Sequence, residues 1–593
     1  MWRSLLGLKP FLLPYRWWLG SGIAAFGVSR IFEALIPLCL GIGIDMLIAI
    51  KDSGEPASNL LWPVLGIIGA VCGRYVVVTY ARYSVRRSGI GVAFDLRQRL
   101  FETLQLQGNR FFNEHSIGDL MTRAVADISL IQRFISMGTI LVVILVYATL
   151  VGFGFMLYLS PSLTLLLLPP MPIVYYYALW SSRRMAVASV NVQEGLSALS
   201  DQVQENLSGI RTIQAMAQED NEIRRFGESN TRYAQAFYQQ ERVSSLMAAL
   251  MPSLAAICSI TIIGYGGYQV QQGDLTVGKL VAFFGYVGMV VQPFRVAGFM
   301  VNLIQRAAVA AGRLFPIIDL APEVPDTPSG QTPAHLKGHV TFDNVHFRYG
   351  TVREPALTGI SLDIAPGESV TFMGPVGAGK TTLLKLLVRL LPATPNSVKI
   401  DGHGVEDYPL AQLRQQVAMV PQDPFLFGDA LATNLTYDEP ARSRDAIWAA
   451  AEAADLARTA KDFPDQLDTI VGERGVTLSG GQKQRATLAR GLIRDAEVLV
   501  LDDCFSSVDT ETEERILSEL KRMRRGRTTL LVSHRVSTAR TSDRIVMLDA
   551  GRIVEVGSHS ELLAANGAYA ELARIQREGG DADANADPLG APA

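Results

Sequence analysis

The stretch "GPVGAGKTT" sets Gly374, Pro375, Val376, Gly377, Ala378, Gly379, Lys380, Thr381 and Thr382 in a row. It fits G-x-x-x-x-G-K-[ST], with the strand-like "SVTFM" before it and the helix-like "LLKLLVRLL" after it, the context that pattern needs. The glycines let backbone N–H groups wrap a phosphate chain. Lys380 reaches the outer phosphates, Thr381 binds Mg2+, and the helix N-terminus favours the anion. Further along, "VLVLDD" runs four apolar residues into Asp502 and Asp503. That reads as a buried parallel strand delivering an acid to a phosphate-bound metal. "MVPQDPFLF" places Gln422 after a strand, "LSGGQKQRATLARGL" puts Ser479, Gly480, Gly481 and Gln482 at the start of a helix, and "LLVSHR" sets His534 just past a strand. Singly these three are weak signals, since Gln422 could be a loop residue and His534 a satisfied core histidine. In this order and spacing the set is specific.

Two kinds of domain must position these residues. Residues 338–576 read as a soluble α/β domain, opened by the strand-like "HVTFDNVHFRYG" that ends in Tyr349 and Gly350. Before it, the Pro-, Ser- and Thr-rich residues 316–337 read as a linker. The tail 577–593, acidic and rich in small residues, reads as structureless. Apolar residues make up 49% of the chain, and the excess lies in the first half. A bilayer core takes about 20 apolar residues per helix. Six segments of an all-α transmembrane domain over residues 1–315 meet that, near 18–48, 60–83, 136–159, 162–183, 246–271 and 278–303. An even number of spans puts both ends on one side. Arginines crowd the two long loops, 84–135 and 184–245, so those loops and both termini are expected in the cytoplasm. Helical apolar spacing continues through the loops, which turn near 111–123, with Gly118 as breaker and Asp119 as cap, and near 205–216. The first residues lack a small-residue cleavage site, so no cleaved signal peptide is expected.

A net charge of −3 gives no signal for a nucleic-acid partner. Cys39, Cys72, Cys258 and Cys504 are far apart and are expected as buried thiols, with no disulfide or zinc spacing. Inside the apolar segments, Arg30 and Glu33 share a helix face, and Arg295 lies near Gln292. Intramembrane charges face protein or a water-filled cavity. Both readings stay open for all three, a structural ion pair or the lining of a substrate cavity.

Taken together, the glycine loop, "LSGGQ" and the six spans resemble an ATP-binding cassette exporter half-transporter. In such a chain one membrane domain is fused to one nucleotide-binding domain, and the likeness covers nearly everything from residue 17 to 575. The resemblance implies Tyr349 stacked on adenine, Gln422 touching Mg2+, and His534 contacting the γ-phosphate. It also implies that "TIVGERG" (469–475) meets a cytoplasmic turn helix. Two nucleotide-binding domains would clamp two ATP molecules, each between one chain's glycine loop and the other's "LSGGQ", so a dimer is required.

The family pattern places a hydrolytic glutamate where this chain has Asp503, one methylene shorter. A carboxylate displaced by roughly an ångström can cost about a hundredfold in rate. The favoured reading is therefore the impaired subunit of a heterodimer, as in bacterial multidrug exporters. Its "LSGGQ" would complete the competent site of a second, different half-transporter. A homodimer with slow sites and a membrane-bound ATP sensor that moves nothing are the alternatives. Importers usually keep the two domains on separate chains. The expected substrates are amphipathic (drugs, lipids or peptides), and the expected location is the inner membrane.

Overall fold

Inside a bilayer every backbone polar group must be satisfied within the protein, and a long apolar run meets that on its own by folding as a helix. The computed structural model describes residues 2–584 apart from 54–56, 293–296, 327–332, 334, 351–353, 473–474 and 476. The chain divides into two units. One holds the residues up to Gln105 together with Ser116–Leu320; the other holds Leu106–His115 and the chain from Ala321 onward.

The described part of the first unit is helical. Its long helices are α1 (Arg16–Ser53), α2 (Leu61–Gln105), α3 (Ile117–Leu159), α4 (Pro170–Ser208), α5 (Glu219–Thr261), α6 (Val277–Val291) and α7 (Ala297–Ile318). Among the described residues, three helical stretches are long and apolar enough to cross a membrane, Ser4–Asp52, Leu61–Gln105 and Ile117–Leu159; Val277–Val291 is apolar but shorter. The expected span 162–183 falls on a short helix, Pro161–Leu167, and the start of α4, the span 246–271 on the end of α5 and the helical residues after it, and the described residues of 278–303 on α6 and α7.

Helix α1 packs on α2, α3 and α6, and α4 runs along α5. Glycine allows the closest of these approaches: a Cβ on Gly278 would sit 1.9 Å from the Gly41 carbonyl oxygen, so the α1 and α6 backbones touch. Asp45 locks that junction by accepting from the Thr276 hydroxyl at 2.6 Å and the Gly278 N–H at 2.7 Å. Nearby, the buried Tyr286 hydroxyl donates to the Ala34 carbonyl at 2.8 Å.

Several expectations change here. The cap near residue 117 is Ser116, whose hydroxyl accepts from the Asp119 N–H. Gly118 lies inside the helix it was expected to break, and Asp119 pairs with Arg123 one turn on. Both Ser116 and Asp119 are capping residue types, and the serine stands at the extended backbone position a cap needs. Of the cysteines, Cys258 and Cys504 are buried, Cys39 is half-buried and Cys72 is exposed. Helix α7 continues through Pro316 to Ile318, into the expected linker.

The second unit contains two sheets. A four-stranded antiparallel sheet has the order β2-β1-β4-β5, from β1 (Val340–Phe347), β2 (Leu357–Ile364), β4 (Val398–Ile400) and β5 (His403–Gly404). A six-stranded sheet has the order β10-β9-β3-β8-β7-β6, from β3 (Ser369–Met373), β6 (Val417–Val420), β7 (Val498–Asp502), β8 (Thr528–Val532), β9 (Arg544–Asp549) and β10 (Arg552–Gly557). It is parallel except for the β9–β10 edge. Every residue of β7 and β8 is buried, as expected of parallel strands covered on both faces. Helices α8 (Lys380–Leu387), α9 (Gly480–Leu492) and α10 (Thr510–Met523) follow β3, precede β7 and follow β7 respectively. The last helix, α11, runs from Ala568 to Ala584, so the chain is helical past 577, where a structureless tail was expected.

Candidate nucleotide site

In open parallel sheets ligands bind beyond the carboxyl ends of the strands. The glycine loop, Gln422, Asp502–Asp503 and His534 leave the carboxyl ends of β3, β6, β7 and β8, four parallel strands adjacent in the sheet. The sheet topology thus gathers residues spread over the whole unit.

The loop from Gly374 to Gly379 turns tightly into α8. Gly374 has φ 140°, and a Cβ there would lie 2.0 Å from the Leu548 carbonyl oxygen; only glycine fits. Lys380 is buried, and its ammonium donates to the Gly374 and Pro375 carbonyls at 2.8 Å each. Burial pushes its pKa down, partly opposed by Asp503 and Asp502. The Thr381 hydroxyl donates to Asp502 Oδ1 at 2.8 Å, and burial raises the Asp502 carboxyl despite that bond. The Tyr349 hydroxyl and Thr382 Oγ1 are 3.0 Å apart, while the Tyr349 ring stays partly exposed and meets Phe347 edge-on.

Asp503 holds a left-handed backbone at φ 45°, with its N–H donating to the Val532 carbonyl at 3.1 Å. Gln422 Nε2 donates to Asp503 Oδ2 at 3.2 Å. The loop glutamine and the second aspartate, picked out separately in the sequence, are thus hydrogen-bonded.

Ser479 caps α9 in a reciprocal box: its hydroxyl accepts from the Gln482 N–H at 3.3 Å, and the Gln482 side chain accepts from the Ser479 N–H at 2.8 Å. Such an N-terminus favours an anion. A Cβ on Gly481 would come within 2.8 Å of the Ser507 carbonyl oxygen, so the helix start lies against the segment after β7. Among the described residues no hydrogen bond joins Ser479–Gln482 to the glycine loop.

Three connections escape the sequence patterns. Buried Gln484 grips the segment after the aspartates, donating to Ser506 Oγ at 2.7 Å and accepting from the Ser507 N–H at 2.8 Å. Arg490 donates to the Phe425 carbonyl at 2.9 Å and the Asn434 carbonyl at 2.7 Å, tying α9 to the loop after Gln422. Arg535, next to His534, pairs with the buried Glu513 and donates to the Val508 carbonyl at 3.0 Å. Gln484 and Arg490 lie within the quoted "LSGGQKQRATLARGL"; their partners, mostly backbone atoms, carry no sequence signal. Glu473 and Arg474 of "TIVGERG" lie outside the described residues.

In the membrane unit, Arg30 and Glu33 form an ion pair, and Arg74 of α2 adds a second cation at 3.4 Å from Glu33. Arg295 lies outside the described residues.

Two family descriptions match the chain, the ABC transporter transmembrane region over residues 19–294 and the ABC transporter over residues 357–506. The chain is 31% identical to an uncharacterized ABC transporter ATP-binding protein of Bacillus subtilis (strain 168), YknU, covering 96% of this chain and 97% of that one. It is 35% identical to the ATP-dependent lipid A-core flippase of Syntrophus aciditrophicus (strain SB), covering 82% of this chain and 81% of the flippase. Among solved structures, a bacterial Atm1-family ABC exporter with ATP bound matches with a TM-score of 0.74 and 27% identity, over 96% of this chain and 98% of that one.

Proposed function

This chain belongs to the ABC transporter family, with a membrane domain and one ATPase domain on a single polypeptide, and from that premise we propose that it is one half of a dimeric exporter of amphipathic, lipid-like substrates. The flippase and exporter among its relatives support the direction of transport and the substrate class. ATP binding would close two nucleotide domains on each other, and the turn helices would pass that closure to the membrane helices. Six spans, cytoplasmic termini and a place in the inner membrane belong to the same proposal, resting on the apolar segments and the arginine-rich loops.

The residues fit the roles proposed for them. The hydroxyl of Thr381 and the carboxylate of Asp502 meet as hard oxygen donors, and Gln422 lies beside the second aspartate. Such donors suit Mg2+, which would neutralise phosphate charge when bound. Lys380 would exchange its two carbonyl partners for phosphate oxygens, Tyr349 would face the adenine, and His534 would contact the γ-phosphate. Ser479, Gly480, Gly481 and Gln482 would cradle the ATP held by the partner.

The observation that carries the finer reading is Asp503 itself. A short acid stands at the hydrolytic position, while the helix start at Ser479 keeps its complete capping box. We therefore assign this chain to a heterodimer, its own site slow and its signature serving the partner's faster one. Steady-state ATP turnover by the purified chain, alone and co-expressed with a second half-transporter, tests the assignment. Slow turnover alone and fast turnover together are expected; equal turnover per chain in both would leave a homodimer.

A further inference from the structure

The His534 loop is held from a direction the nucleotide motifs do not explain. Gln576, on the last helix α11, donates from Nε2 to the His534 carbonyl at 2.6 Å and accepts at Oε1 from the Val536 N–H at 2.9 Å. One side-chain amide thus brackets the peptide units on either side of Arg535. Its orientation follows from the partners, since only the nitrogen can donate to a carbonyl and only the oxygen can accept from an N–H. The helix delivering it is anchored at its own start. Glu555 of β10 accepts from the Ala568 and Tyr569 N–H groups at 2.5 and 3.1 Å, and buried Tyr569 lies 2.6 Å from His559 Nδ1. On its other flank the loop is tied through Arg535 to Glu513 and the Val508 carbonyl. Among the described residues the His534 imidazole makes no hydrogen bond, so the bonds that hold this segment act on the backbone, which fixes the point from which the imidazole projects.

We propose that Gln576 is a positioning residue: its two hydrogen bonds hold the His534 backbone so that the imidazole meets the terminal phosphate of ATP bound by this chain. The proposal rests on the assignment of His534 to the γ-phosphate. It makes the C-terminal helix part of the nucleotide site, through a residue that itself touches no nucleotide. It also predicts a signature that a packing role would not give. ADP lacks the phosphate His534 would contact, so loss of the bracket should weaken ATP and leave ADP unchanged.

The test is photolabelling of this chain by azido-ATP and azido-ADP, titrated in the assembled full-length transporter in lipid. Gln576→Ala is expected to lower ATP affinity about fivefold to 150-fold, the scale of two ordinary hydrogen bonds, with ADP affinity unchanged. Gln576→Met, of similar length but without the amide, should do the same. His534→Ala should lower ATP affinity at least as far, and the double variant should be no worse than His534→Ala, because both changes remove one interaction. Unchanged ATP affinity in Gln576→Ala beside a loss in His534→Ala would overturn the proposal alone. So would equal losses of ATP and ADP, or full recovery in Gln576→Met. No loss of ATP affinity in His534→Ala would overturn the assignment of His534 and the proposal with it.

Discussion

Two charged clusters lie in the two units of this chain, and they are built in opposite ways. In the nucleotide unit Lys380 is bonded to backbone carbonyls and Asp502 to a hydroxyl, so the cation and the anion do not neutralise each other directly. Burial shifts both against their charged forms, which marks charge held ready for something else. In the membrane unit Arg30 and Glu33 are paired outright, and Arg74 adds to the same carboxylate. That cluster sets two cations on one carboxylate and joins α1 to α2. The contrast separates a site built to receive a ligand from a knot built to hold helices. It favours the structural reading of Arg30 and Glu33 over a place in a substrate cavity.

Breaking each cluster should show the difference. The largest effect is expected from Glu33→Gln, which leaves the buried Arg30 without its counter-charge. Breaking a buried pair in this way costs about 3–5 kcal/mol, so thermal unfolding in lipid should drop clearly. Lys380→Ala should act on the ligand instead. A lost charged hydrogen bond of about 2–3 kcal/mol corresponds to roughly 30-fold to 150-fold weaker ATP binding at this chain's site. Unfolding without nucleotide should hardly move, because no direct partner charge is orphaned. A large loss of stability in Lys380→Ala with unchanged ATP affinity would reverse the comparison. The smallest effect is expected from Arg74→Ala, below that of Glu33→Gln by the same unfolding measurement, since Arg30 still neutralises Glu33.

How much of this was legible in the sequence follows from the same physics. The glycine loop could be read because its function needs consecutive backbone positions, and Arg30 and Glu33 could be set on one face because residues three apart on a helix share it. Arg74 could not be read, since it reaches Glu33 from another helix. Gln484 and Gln576 were invisible for a related reason: their principal partners are backbone groups of distant segments, which any residue could present. The helical stretch up to Ala584 runs against its composition, and the small, acidic residues there gave the opposite expectation. Asp119 was the expected cap, and the extended backbone at Ser116 makes the serine the cap instead.

The central claim is a division of labour: the short acid Asp503 contributes little to turnover, while the helix start at Ser479 contributes much. Steady-state ATP turnover of the assembled transporter, with Ser479→Ala and Asp503→Ala changed one at a time in this chain, tests it most directly. Ser479→Ala is expected to lower turnover about tenfold or more, through a lost cap and a lost phosphate contact at the partner's site, and Asp503→Ala to lower it less than twofold. Turnover abolished by Asp503→Ala and spared by Ser479→Ala would contradict the account.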